Sequence, residues 1–249
     1  MNGLTLVSLL LLAAWPSVTA SASEVQTFRN EWAAAKGDPD TAAEFVREVC
    51  GVPEDPAASA SVIPAADWDA LAADRSDIVS GETFALDVGP DRKWASIAVA
   101  GRCADGVVQV EVIDRRPGAA WVVAELVERK TVIKKIRIDQ GSEARSLIPL
   151  LIEAGFEVET CSTADHAAAT GQFIDLALSG RLRHLGSASL RAAIAGATLR
   201  HTGDADLWGR RASKVDITPL IACTLAVGGV PASHEVSTGV FNLADFLED

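Results

Sequence analysis

Three short apolar runs stand close together, at residues 84–87, 95–100 and 107–114. Turn residues separate them, so they read as three antiparallel strands of a meander. After them the apolar spacing switches back and forth between helical and strand periods. It predicts a helix over 119–130, a strand over 132–138, a helix over 143–154 ended by Gly155 and a strand over 156–160. Helices over 164–179 and 189–202, ended by Gly180 and Gly203, follow, and a very apolar helix over 217–227 comes last. A chain that leaves a strand through a helix returns parallel to that strand.

The predicted fold is therefore α/β, a mixed five-stranded sheet flanked by helices in the ribonuclease H-like order. Ahead of it, residues 24–80 lack sustained periodicity and are broken by Asp38-Pro39-Asp40 and Gly51-Val52-Pro53. The division expected is an apolar leader (1–22), a linker with short docked helices (23–80), the α/β domain (81–230) and an acidic tail (231–249). Trp32 and Trp68 mark the two linker pieces expected to dock, because a large indole in a polar connector anchors it to a neighbouring surface. Residues 4–15 are an apolar run followed by small residues, which resembles an export signal, although no Lys or Arg precedes it. The expected location is the cytoplasm, with export through residues 1–22 as the alternative. Cys50, Cys103, Cys161 and Cys223 are too far apart for a CxxC site and read as free thiols.

Charge decides which partners are open to the chain. The formal net charge is −12, which excludes a generally basic nucleic-acid binder. The acidity sits on the flanks, however: residues 1–80 carry 4 basic and 12 acidic side chains, and 81–230 carry 18 of each. A neutral middle can still present a local basic surface to a polyanion.

The familiar site motifs are missing from the sequence. It has no Gly-Lys dipeptide and hence no phosphate loop for ATP, no GxGxxG, no GxSxG and no HExxH. The four histidines, His166, His184, His201 and His234, show no metal or triad spacing and read as surface or helix-end residues. Three acids stand out by position. Asp87 ends the first strand, Asp139 ends the fourth, and Asp216 opens the last helix. With the fourth strand parallel to the first, Asp87 and Asp139 emerge at one sheet edge, where a helix begun by Asp216 can join them. Three carboxylates together repel unless cations neutralise them, which points to two Mg²⁺ or Mn²⁺ ions bridging a phosphate. Each acid has a plainer reading: Asp87 as a turn residue, Asp139 and Asp216 as helix caps. Asp91 is an accessory acid, and Arg210, Arg211 and Lys214 border the site as DNA-phosphate contacts.

The residues then resemble a known family, the carboxy-terminal nuclease domain of tailed-phage large terminases, of the kind found in actinobacterial phages and prophages. The resemblance runs from about residue 25 to 228. It is carried by the stretches 62–68, Ala85 to Arg92, Trp94 to Ile97, 146–149, 182–184, Gly203-Asp204 with Trp208 and Arg210, and 215–220. It implies a ribonuclease H-like fold and metal-dependent cleavage of double-stranded DNA during capsid packaging, with the acidic triad on Asp87, Asp139 and Asp216. It also implies a small terminase subunit and a portal as partners, with no membrane and no ATP, since the family's motor motifs do not occur in this sequence. A degenerate prophage remnant that binds DNA or a packaging partner without cutting is the alternative.

Overall fold

In the computed structural model of the chain, the residues described are Ala33, 61–203 and 205–231. The expected leader, the docked piece at Trp32, Cys50 and the acidic tail beyond residue 231 lie outside them.

The predicted meander forms, with longer strands than the apolar runs suggested. Strand β1 (Ile78–Val88) pairs antiparallel with β2 (Trp94–Cys103), which pairs antiparallel with β3 (Val108–Pro117). The chain continues through α2 (Val122–Glu128), after the short α1 (Ala65–Asp69) that precedes the sheet, into β4 (Lys135–Asp139), parallel to β1. A 3-10 turn (Glu143–Leu147) and α3 (Ile148–Glu153) lead to β5 (Glu157–Cys161), parallel to β4. Helix α4 (Thr163–Leu178) starts at a capping box in which Ser162 and Asp165 satisfy each other's backbone N–H groups.

Two expectations change here. The sheet has six strands, in the order β5-β4-β1-β2-β3-β6, because Leu182–His184 forms β6 parallel to β3. Three residues are too few to show an alternation, so this strand was silent in the sequence. The helix expected over 189–202 stops early: α5 covers Ala188–Gly196, and β7 (Leu199–Thr202) turns back against β8 (Ala205–Trp208) as a separate two-stranded hairpin. Gly203, expected to cap a helix, sits with φ +62° beside the hairpin pair Thr202–Ala205. Gly serves both purposes, which is why the sequence did not separate them.

Alternation along the strands divides the core into two layers. Leu86, Ile97, Ile136 and Ile138 point to one face, against Leu126 of α2 and Leu151 of α3. Ala85, Ala98 and Val110 point to the other, where α4, α5 and the last helix α6 (Thr218–Val227) pack. Every residue of α6 is buried, which explains its lack of a polar face. Each of its fully buried Leu and Ile side chains contributes roughly 1.5–3 kcal/mol. Among the described residues, no helix is long and apolar enough to cross a membrane. Cys103, Cys161 and Cys223 are free and buried.

The piece around Trp68 lies inside the core. Ile63 and Trp68 are buried, the indole stacking on His184 at 4.2 Å between ring centroids. The backbone joins as well: Ala73 N–H donates to the His184 carbonyl, and Ala72 forms a parallel bridge with His184. The His184 ring donates from Nε2 to the Trp68 carbonyl (2.9 Å) and accepts the Gly186 N–H at Nδ1 (3.0 Å). A second ring proton would face a donor, and burial, opposed by the Trp68 carbonyl and Asp69, lowers the His184 pKa. A base depressed on folding binds fewer protons folded than unfolded below its ordinary value of about 6.5, so its share of stability falls as pH drops through that value. Thermal unfolding should therefore shift downward between about pH 7.5 and 5.5. In His184→Gln that part of the pH slope should vanish; an unchanged slope would clear His184 of the effect.

Candidate active site

The parallel pairing of β1 with β4 ends at Leu86 and Ile138, and the next residue on each strand is an aspartate. Neighbouring strands lie about 4.8 Å apart, so Asp87 and Asp139 leave the sheet side by side. Because Leu86 and Ile138 face the α2 layer, the two carboxylates face the α6 layer. Asp87 is 0% and Asp139 3% exposed. Two adjacent buried carboxylates need a counter-charge, and Arg210 supplies it. Its Nη2 donates to Asp87 Oδ1 (2.7 Å) and to Asp139 Oδ2 (2.8 Å), while Nε reaches Asp87 Oδ2 at 3.3 Å.

Asp139 has two further donors. Gly141 N–H donates to Oδ1 (2.8 Å) and His166 Nδ1 to Oδ2 (3.1 Å). Burial raises the Asp139 pKa, but His166, the Arg210 charge and Gly141 together outweigh it and hold the carboxyl well below the usual range. Asp87 lacks those extra donors, and burial pushes its pKa up against the pull of Arg210. Arg210 is half-buried, yet the two carboxylates hold its pKa above the ordinary arginine value.

Asp216 stands at the same end of the sheet. Its Oδ1 lies 3.7 Å from where a Cβ on Gly89 would be, an ordinary contact distance that sets it beside the loop after β1. Its carboxylate engages other partners. Arg115 Nε donates to Oδ2 at 2.8 Å, with the guanidinium 3.8 Å over the Trp94 ring. Thr218 donates through Oγ1 to Oδ2 (2.9 Å) and through N–H to Oδ1 (3.2 Å). Since the Thr218 hydroxyl proton goes to Asp216, Ser96 donates to Thr218 Oγ1 (2.8 Å). Ser96 is the β2 partner of Asp87, so this chain links the two acids through the sheet.

Of the acids expected to cluster, the structure thus brings together Asp87 and Asp139 and holds Asp216 on Arg115. Among the described residues, no group of three or more His, Cys, Asp or Glu is close enough to hold a metal ion. Asp91 is exposed on the 3-10 turn Pro90–Arg92, with φ +59°, and the next residue, Arg92, repeats the left-handed conformation at φ +54° while donating to Ser146. Two consecutive non-glycine residues in that region are strained, directly beside the site.

Arg210, expected as a DNA-phosphate contact, is inserted between the carboxylates, which need a counter-charge once they are buried. Arg211 lines the adjacent cleft and Lys214 is exposed. His166, read as a surface or helix-end residue, is fully buried in the first turn of α4, and His184 is buried as well. Arg115 and His166 are the functional candidates the sequence did not reveal. Their signal was only a basic pair near the end of β3 and a histidine behind a capping box.

The cleft beside the carboxylates measures about 400 Å³. Val88 and Pro90 form one wall, Gly141 and Glu143 another, and Arg210 with Arg211 a third, with Arg200 of β7 at the rim.

No protein-family model matches the chain, and neither does any curated protein sequence. Solved structures do. The large terminase of bacteriophage HK97 superimposes with a TM-score of 0.57 at 15% identity, over 86% of this chain and 56% of that one. The fold is ribonuclease H-like and is shared with that large terminase. A variant of the large terminase subunit of bacteriophage Sf6, solved with calcium, matches with a TM-score of 0.50 at 9% identity, over 67% of this chain and 98% of that one. The chain thus spans little more than half the length of the HK97 terminase and nearly all of the Sf6 fragment.

Proposed function

We propose that the chain is a metal-dependent DNA endonuclease of the large-terminase type. The observation that carries this reading is the pair of buried carboxylates, Asp87 and Asp139, joined on one cation at the ends of adjacent parallel strands. Burying two such groups costs several kcal/mol each unless a cation compensates, so their placement is explained by cation binding better than by turns or caps. The donor set also suits a hard divalent ion such as Mg²⁺ or Mn²⁺, because it is all carboxylate oxygen and the Arg210 guanidinium already stands in as the cation.

Asp87 and Asp139 would hold the ion, and Asp216 would join them once released from Arg115. The bound metal would supply an activated water and neutralise charge on the departing 3′ oxygen. The chain's own residues do the rest. Gly141 N–H and His166 Nδ1 fix both oxygens of Asp139, so the carboxylate is presented in one orientation. The cleft orients the backbone of double-stranded DNA, with Arg200 and Arg211 taking phosphates. The biological setting of this reading is phage DNA packaging in the host cytoplasm, with a small terminase subunit and a portal as partners. Cleavage by this chain is expected to need no ATP, since its sequence has no Gly-Lys phosphate loop.

A second reading is favoured by one observation: Arg210 occupies the place of the cation and Arg115 occupies Asp216, as in a non-catalytic DNA-binding module. One assay separates the two. Supercoiled plasmid incubated with the chain and Mg²⁺ or Mn²⁺ should become nicked and linear, and chelator should stop it. An inactive parent with either metal, still able to retard DNA, would establish the binding module instead.

A further inference from the structure

We propose that Arg210 is the resting counter-ion of the Asp87–Asp139 pair, and that it exchanges these carboxylates for a DNA phosphate when a divalent cation takes its place. The inference rests on the metal-dependent reading above and adds to it a coupling between metal binding and DNA binding, assigned to one side chain.

The competition follows from the geometry. Arg210 Nη2 bonds Asp87 Oδ1 and Asp139 Oδ2 at 2.7 and 2.8 Å, and Nε adds Asp87 Oδ2. A divalent ion held by the two residues would draw on these carboxylate oxygens at roughly 2.0–2.6 Å, and Arg210 already engages three of the four. The ion and the guanidinium therefore compete for the same oxygens.

A displaced guanidinium needs a new anion, and a DNA phosphate entering the cleft that Arg210 lines would supply it. Arg210 lines the cleft together with Arg211 and Arg200, and the exposed 15% of its side chain is open to solvent. The planar donor fork that now spans two carboxylates matches two oxygens of a phosphodiester equally well. The backbone need not move. The turn carrying Arg210 is closed by its own bonds, from Ala212 N–H and Ser213 Oγ to the Gly209 carbonyl. Each ligand then releases Arg210 for the other: a phosphate that captures the side chain uncovers the carboxylates, and an ion that expels it frees a phosphate ligand. Such coupling is reciprocal and is typically 5- to 150-fold.

Calorimetric titration of Mn²⁺ into the full chain, compared between parent and Arg210→Gln, tests the competition. Gln keeps an amide donor for the carboxylates but has no charge, and it should bind Mn²⁺ roughly 5- to 100-fold tighter than the parent. Ca²⁺ titrations with and without a short DNA duplex test the coupling. The duplex should tighten Ca²⁺ binding severalfold in the parent and leave Arg210→Gln unchanged. Thermal unfolding in saturating Mn²⁺ checks that the variant is folded. If it is not, Arg210→Lys serves in its place, since one ammonium cannot span both carboxylates and Mn²⁺ should again bind tighter. If the variant binds Mn²⁺ no better than a parent that does bind it, Arg210 does not compete and the inference falls while the metal reading stands. If the parent binds no divalent ion even at millimolar concentration and Arg210→Gln binds none either, the metal reading falls and takes this inference with it.

Discussion

Asp87→Asn and Asp139→Asn are expected to lose DNA cleavage alike, by about 10³-fold or more, and to differ in stability. A bound metal contributes several kcal/mol to the transition state, and each 1.4 kcal/mol is about tenfold in rate, so either ligand's loss should reach that size. Stability separates them because their environments differ. The depressed Asp139 carboxyl contributes stability that is present above its unfolded pKa of about 3.9 and is lost as pH falls through its lower folded value. Its charge is met by Gly141, His166 and Arg210, and hydrogen bonds to a charged group are worth about 1.5–3 kcal/mol. Asp139→Asn should therefore cost about 2 kcal/mol at pH 7. Asp87 has the opposite sign. Burial raises its folded pKa, so its contribution is present below about 3.9 and is lost as pH rises through the folded value. The neutral Asn, which still accepts from Arg210, should leave the pH 7 stability unchanged or slightly higher. Urea unfolding at pH 7 and plasmid cleavage in Mn²⁺, run on both variants, check this together. Activity within tenfold of the parent in Asp87→Asn would remove it from the ligand set, and equal destabilisation in both would refute the asymmetry.

The second large effect is on folding. Trp68→Ala is expected to destabilise the chain by about 3–5 kcal/mol, the usual loss when a large buried aromatic is truncated and its cavity stays partly open. The indole lies between His184, at 4.2 Å, and Phe173, at 6.1 Å between centroids, and its backbone carbonyl receives the His184 bond. Deleting the whole 61–80 segment removes Ile63 as well, so a fragment starting at residue 81 should unfold at lower urea than one starting at 61. We place the start of the folding unit near residue 61 for that reason. Equal midpoints for the two fragments, or a loss below about 1 kcal/mol in Trp68→Ala, would return the boundary to residue 81.

Much of the site's framework was legible without a structure. Alternation in residues 132–138 set which side of the fourth strand is apolar, and the apolar run at 84–87 read as the first strand, so Asp87 and Asp139 fall at or next to the ends of strands that a helical crossover makes parallel. Burial enforces this, because a one-residue slip would turn Leu86 and Ile138 out of their layer. The very apolar run at 217–227 announced a central helix for the same reason. Silent elements were those without a period long enough to read: β6 with three residues, and the β7–β8 hairpin hidden behind a helix-like start.

What only the tertiary structure decided is how the carboxylates are neutralised. Arg210 meets Asp139 across 71 residues and Asp87 across 123, His166 meets Asp139 across 27, and Arg115 meets Asp216 across 101. Hydrophobic periodicity determines faces and strand order because apolar burial is non-directional and repeats along the chain. The pairing of charges across loops depends on individual directions and distances that close only when the layers pack. The sequence alone therefore determined where the two acids emerge, and packing decided which cations meet them.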